Sequence, residues 1–245
     1  MSIKTAIKYG EGNVSKLLLA NHFNKLFFEK AHSDEVRSGL HASSIITGEE
    51  KFCIREQVLS LFFHRNTDMT EFPVHLLRIF KEGNAIHEKW QTMFVENGIA
   101  LGIEERIYSE YFDLYLTPDA VIELKGVPYI VEIKSCNSNS YRQIRDTHPA
   151  GNKQLQMYMH FACIPRGIVL CENKDTQEFN PIPCDYDYTM VVPYLERLHM
   201  IKAAKEKYLK NGKLPRGTCT TSTCSRAGEC QLSNACFGID RIELD

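Results

Sequence analysis

The 245-residue chain has no apolar run near the roughly 18 residues that a membrane span requires. Its N-terminus also lacks a basic segment followed by an apolar stretch and a small-residue cleavage site. These absences predict a protein that stays in the compartment where it is made, the cytoplasm, with no membrane partner. Charge of one sign is missing too: 29 Lys+Arg stand against 31 Asp+Glu, a net of −2. No overall field draws such a chain to nucleic acid, although a local basic groove would be invisible in this sum. There is no internal repeat and no low-complexity tract, and with 43% apolar and 24% charged residues the fibrous and fully disordered classes are excluded. What the chain does have is nine cysteines. An odd count in a chain with a full-sized core and no export signal makes a poor disulfide framework, so metal ligation becomes the leading question.

Hydrophobic periodicity divides the chain into three regions: 1–80, 81–200 and 201–245. LLLANHFNKLFFEKA (17–31) and REQVLSLFF (55–63) have helical spacing and predict an N-terminal helical cap or wall. A third helix is expected over 73–98, with Leu76, Ile79, Phe80, Ile86, Trp90, Met93 and Phe94 recurring and Gly98 as a stop. From residue 101 the period changes to two. RIYSEYFDLYL alternates, and TPDAVIEL and YIVEIKS flank the turn Lys125-Gly126-Val127-Pro128 as a hairpin. A helix over 152–162, a buried strand GIVLCEN, a possible partner QEFNPIPC and a helix over 188–211 closed by Gly212 complete an α/β core, a central mixed sheet flanked by helices. The tail beyond is short, polar and rich in cysteine.

The informative segment is Thr117-Pro118-Asp119 followed by Glu132-Ile133-Lys134. Side chains alternate along a strand, so Glu132 and Lys134 share one face, opposite Tyr129, Val131 and Ile133. Charged groups in a strand otherwise fit for burial must pair, reach solvent, or hold something charged. Two carboxylates and a backbone carbonyl make a hard oxygen site suited to Mg2+ or Mn2+, which can polarise a phosphate and lower the pKa of a bound water. A lysine beside that water can orient it and offset developing charge. Read without its surroundings, the tripeptide describes a half-exposed strand carrying an ordinary Glu–Lys pair, because such surface pairs are abundant, and alone it establishes little. Gln154 and Tyr158, four apart, share a helix face that can lean over such a site. Glu104 and Glu105 have no spacing that separates a further carboxylate from a charged turn.

The order Gly83-x-x-x-His87, Pro118-Asp119, Glu132-Ile133-Lys134 and then QLQMY (Gln154 to Tyr158) resembles the PD-(D/E)xK nuclease superfamily, in particular its RecB-like exonuclease branch. The resemblance implies a restriction-endonuclease-like core. It also implies His87, Asp119, Glu132 and the carbonyl of Ile133 as metal ligands, Lys134 as activator of the attacking water, and Gln154 and Tyr158 as DNA contacts. The activity implied is metal-dependent hydrolysis of DNA from single strands or ends, in recombination, repair or replication. Arg142, Arg145 and Lys153 are candidates for backbone contacts. Two other readings stay open: a catalytically degenerate DNA-binding or assembly module, and a structure-specific endonuclease working with a separate helicase, since the chain has no helicase-type phosphate loop.

Cys219, Cys224, Cys230 and Cys236 lie within eighteen residues, in a tail that cannot build its own core. Four thiolates suit Zn2+ or an iron–sulfur cluster, and spacing does not decide between them. The resemblance implies a 4Fe-4S cluster held by one upstream cysteine, Cys53, and three in the tail. The family's usual pair of tail cysteines with two residues between them is absent, so five candidates compete for four positions. Cys53, Cys224, Cys230 and Cys236 are preferred, with Cys219 as the replacement; an all-tail zinc site is the alternative. Cys136, Cys163, Cys171 and Cys184 fall in the core pattern and are expected to be packed thiols.

Overall fold

The computed structural model describes residues 24, 39–63 and 73–238, so the helix expected over 17–31 lies outside the described residues except at Asn24, which is helical. The chain divides into two compact units, residues 1–35 with 68–82 and residues 36–67 with 83–245. The second holds the sheets. Its elements are β1 (Leu40–His41), α1 (Ala42–Ile45), α2 (Ile54–Leu59), the portion from Gly83 onward of α3 (Val74–Glu96), β2 (Ala100–Ile103), β3 (Ile107–Ser109), β4 (Leu114–Leu116), β5 (Ala120–Leu124) and β6 (Val127–Cys136). There follow α4 (Ser138–Gln143), α5 (Pro149–Ala162), β7 (Arg166–Asn173), β8 (Phe179–Asp185), α6 (Tyr188–Asn211), α7 (Ser225–Glu229) and α8 (Ser233–Gly238). Among the described residues no helix is long and apolar enough to cross a membrane.

The central sheet is mixed, ordered β2-β5-β6-β7-β8, with only the β6–β7 pair parallel. A parallel pair needs a crossover, and α4 and α5 supply it. The β5–β6 hairpin closes through Lys125 and Gly126, both at positive φ (53° and 77°), the two-residue loop whose twist matches its strands. The turn is therefore tighter than the expected four residues, and Val127 and Pro128 already pair with Leu124 and Glu123. RIYSEYFDLYL is not one strand. It breaks into the antiparallel pair β3 and β4, because Phe112 and Asp113 bond back to Ser109 and Glu110 and Asp113 adopts φ 52°. With β1 these strands form a second sheet, ordered β1-β4-β3.

Both faces of the central sheet are covered, each by its own apolar cluster. On one face Ile130, Val169, Cys171 and Ile182 pack with Leu155, Met157 and Met159 of α5 and with Val191, Leu198 and Ile201 of α6. On the other, Val131, Ile133 and Leu170 pack with Ile86 and Phe94 of α3, and Trp90 joins them. Strand β6 is thus buried on two sides, which explains why its apolar residues form a near-continuous run. Cys171 is buried and Cys136 and Cys184 are half-buried, as packed thiols should be; Cys163 is not. It is exposed because it ends α5 in the left-handed conformation, at φ 55°.

Candidate active site

The hairpin register decides which carboxylates meet. Ala120 pairs with Val131, so one step further out Asp119 arrives beside Glu132. The Asp119 Oδ2 accepts the Ile133 N–H at 2.6 Å, and Oδ1 lies 3.3 Å from His87 Nδ1. Glu132 is 2% exposed and projects to the α5 face. Its Oε1 pairs with Lys134 Nζ at 2.5 Å, while Oε2, buried, has no hydrogen-bond partner. Lys134 also donates to Gln154 Oε1 at 3.2 Å, and Gln154 Nε2 donates to the Tyr158 hydroxyl at 2.7 Å. All seven positions expected at the site, His87, Asp119, Glu132, Ile133, Lys134, Gln154 and Tyr158, therefore fall into one connected set.

Burial pushes the Glu132 carboxyl up, the negative charge of Asp119 adds to this, and Lys134 opposes it; the carboxyl rises from 4.5 to about 7. Burial alone would lower the basicity of His87, but its bond to Asp119 and the nearby charge outweigh this and raise it. The Tyr158 phenol is pushed up by burial and by the charge of Glu132.

Residues that spacing did not single out complete the surroundings. Gln91, one helical turn after His87, donates to the Asp119 carbonyl at 3.1 Å and to Glu104 Oε1 at 2.9 Å. Glu104 is thereby tied to the site, in the left-handed conformation at φ 49°. The i, i+4 relation of His87 to Gln91 was the available signal. His148 caps α5, its Nδ1 accepting the Gly151 N–H at 2.9 Å, and burial together with the charge of Lys134 lowers its basicity. Gly151 is required sterically: a Cβ there would fall 2.8 Å from Val169 Cγ1 and 3.0 Å from His148 Nδ1. Val169 is the register partner of Glu132, so the start of α5 rests on the strand pair at the level of the site. Gly83 meets no such limit, since a Cβ would lie 3.6 Å from Ser135 Oγ. Arg142 is spent on its own helix, bonding the Ser138 carbonyl and Asn139.

Among the described residues no group of three or more His, Cys, Asp or Glu is arranged to hold a metal ion. Asp119 is engaged on both oxygens and Glu132 on one. Mg2+ keeps several of its waters and is commonly held by only one or two carboxylates, so the buried, partnerless Glu132 Oε2 beside Asp119 fits that ion's modest demand.

Four of the nine cysteines gather around one cavity. Cys53, Cys219, Cys230 and Cys236 line one cavity of about 320 Å³, part of it open to solvent, together with Glu56, Arg226 and Leu232. The tail is fastened to α2 by Arg55, which bonds the Cys236 carbonyl at 2.7 Å, and by Arg226, which bonds the Lys51 carbonyl at 2.7 Å and Glu56 at 3.1 Å. Cys224, preferred from the sequence, does not line this cavity. Its Sγ caps α7 by accepting the Ala227 N–H at 3.4 Å, and Cys219 lines the cavity in its place.

No protein-family model matches the chain, and no curated protein matches it. Solved structures do. The exonuclease LHK-Exo, an alkaline exonuclease from Laribacter hongkongensis, in its complex with dAMP is 15% identical over 71% of this chain and 92% of its own, with a TM-score of 0.51. A phage-related exonuclease from Haemophilus somnus 129PT is 14% identical over 78% of this chain and all of its own (100%), with a TM-score of 0.50. The chain has the α/β fold of these exonucleases, a mixed sheet flanked by helices; this chain carries in addition a cysteine-rich C-terminal segment.

Proposed function

We propose that the protein is a metal-dependent deoxyribonuclease of the PD-(D/E)xK type that digests DNA from an end. The observation that carries this is the convergence of Asp119, Glu132 and Lys134 at the open end of the β5–β6 hairpin, with one buried Glu132 oxygen unmet. The exonuclease fold supports it. Asp119 and Glu132 would hold Mg2+ or Mn2+, with His87 and the Ile133 carbonyl as further donors, and the bound ion would supply Lewis acidity to the scissile phosphate. Lys134 carries three N–H donors, of which one meets Glu132 and one Gln154; the third orients the attacking water or a phosphate oxygen. Gln154 holds that ammonium in place and Tyr158 holds Gln154; Gln154 is half-buried and can meet the DNA strand, whereas Tyr158, 3% exposed in the core, supports it from behind and is not itself the DNA contact expected from the sequence.

Cys53, Cys219, Cys230 and Cys236 hold a 4Fe-4S cluster in this reading. What supports this reading is that one thiol at the start of α2 and three from the tail line a single cavity, the division between upstream and tail cysteines that the resemblance implies. The cluster would tie α2 to the tail across most of the chain.

The test is digestion of linear DNA labelled separately at each end, single- and double-stranded, beside circular DNA, with Mg2+, Mn2+ or EDTA. Release of nucleotides from linear DNA alone, and only with metal, is expected. Lys134→Ala and Glu132→Ala should abolish it while the protein stays folded. Parental rates in either variant sink the site assignment. Cleavage of circles makes the protein an endonuclease, and binding without digestion makes it a degenerate module.

A further inference from the structure

One buried carboxylate takes no part in the chemistry described. Glu172, near the end of β7, is 1% exposed and faces α3, two residues beyond Leu170 on the same side of the sheet. Both its oxygens are met from that helix: Lys89 Nζ lies 2.5 Å from Oε1, and Trp90 Nε1 donates to Oε2 at 2.6 Å. The same helix carries His87 and Gln91, which reach Asp119.

The placement of these four side chains follows from helical geometry. Ile86, Trp90 and Phe94, spaced by four, form the stripe that rests on the sheet. Successive residues turn by about 100°, so His87 and Gln91 project to one flank of that stripe and Lys89 to the other. On the sheet the two anchoring points are likewise separated, since Asp119 precedes β5 and Glu172 lies on β7, with β6 between. Two strand spacings come to about 10 Å, close to the width of a helix. The helix is therefore pinned on both flanks, at Asp119 and at Glu172. Its apolar stripe alone is non-directional and would tolerate a roll about the axis.

We infer that Glu172 is a positioning residue of the nuclease site: it holds α3, through Lys89 and Trp90, at the rotation that sets His87 and Gln91 against Asp119. This rests on the function proposed above. A roll of about 10° moves a side-chain tip 5–6 Å from the axis by roughly 1 Å, and a misplacement of that size in a reacting constellation costs on the order of 100-fold in rate. A buried ion pair is weak evidence of stabilisation, because apolar replacements of similar volume are often neutral or better. Removing the pin should therefore cost activity and spare the fold.

The experiment compares the parent with Glu172→Leu/Lys89→Met, which removes both charges at similar volume, and with Glu172→Gln, which keeps an acceptor for the indole. Trp90 is the sole tryptophan of the chain, so acrylamide quenching of its emission reads the clamp whether or not DNA is cut. The double variant is expected to melt cooperatively at or above the parental temperature, to show greater quenching, and to lose 10- to 100-fold in kcat with KM for DNA within about twofold. Glu172→Gln should recover most of the kcat and the parental quenching. Parental kcat in the double variant overturns the inference. So does loss of cooperative melting together with activity, which makes the pair structural, and so does a raised KM at unchanged kcat, which makes Lys89 a DNA contact. A parent that digests no DNA under any metal condition sinks instead the proposed function.

Discussion

Glu132 gives a prediction whose size follows from its burial. In metal-free protein its carboxyl titrates near 7 instead of 4.5, because the sheet and α5 exclude water from it and Asp119 repels its charge. Below pH 4.5 the group is protonated whether the chain is folded or not, and the folded state carries no penalty. Between 4.5 and 7 the unfolded chain ionises first, so stability falls as pH rises; above 7 both states are ionised and the full cost remains. The difference corresponds to roughly 3 kcal/mol. For a chain of this size that amounts to roughly 6–12 °C in melting temperature. Thermal unfolding in EDTA between pH 4.5 and 8 should show Glu132→Gln matching the parent at the acid end and exceeding it progressively towards pH 8. Mn2+ should stabilise the parent more at pH 8 than at pH 5, and Glu132→Gln should lose most of that gain. Parallel curves for parent and variant across the range in EDTA would refute the reasoning, because the buried carboxylate would then carry no unmet charge.

Tyr158→Phe removes the acceptor for Gln154 Nε2 and is expected to lower kcat about tenfold, with a stability cost of about 1 kcal/mol in chemical denaturation. Gly151→Ala drives a methyl into Val169 and the His148 ring, and should cost about 1–3 kcal/mol by denaturant unfolding and reduce activity as α5 shifts off the strand pair. Iron and acid-labile sulfide measured on anaerobically purified protein should fall sharply in Cys219→Ser and persist in Cys224→Ser, the reverse of the order preferred from the sequence; one zinc per chain in a colourless preparation overturns the cluster altogether. Arg197→Met strips a buried guanidinium from the Ile45 and Thr47 carbonyls, both at 2.6 Å, and should lower stability by about 3 kcal/mol or more while leaving the chemistry intact, as melting and activity assays would show.

The hairpin that carries the site was legible because three local signals agree: alternation on either side of Lys125-Gly126, a carboxylate just before one strand, and a Glu and Lys two apart in the other. The Gln154–Tyr158 relation was legible because a helix fixes i, i+4 neighbours. What escaped depends on contacts between elements. Whether Cys219 or Cys224 lines the cavity is decided by α7, a five-residue helix whose cap uses the Cys224 sulfur, and so short a helix leaves no period in the sequence. The break of 106–116 into two strands turns on one left-handed aspartate, which alternation of apolar and polar residues does not register. Glu172 reads as an ordinary polar residue at a strand end, and its burial becomes visible only when α3 is laid across the sheet.

Among the described residues three side chains of the Asp, Glu, Lys and Arg types are buried, Glu132, Glu172 and Arg197, and the way each is met separates their roles. Arg197 is saturated: two backbone carbonyls, the Glu49 carboxylate and the face of Phe52, 4.3 Å away, surround it, so its charge is consumed by the fold. Glu172 is saturated as well, but by two side chains of a single helix, and that makes it a directional pin rather than a general stabiliser. Glu132 alone keeps an oxygen with no partner, in a strand where Ile130 and Ile133 show that an apolar residue packs without cost. A buried carboxylate left half-satisfied is the most expensive of the three arrangements. It is also the one arrangement that a further cation would complete, and it stands beside the second carboxylate and the ammonium that the proposed phosphodiester hydrolysis would use.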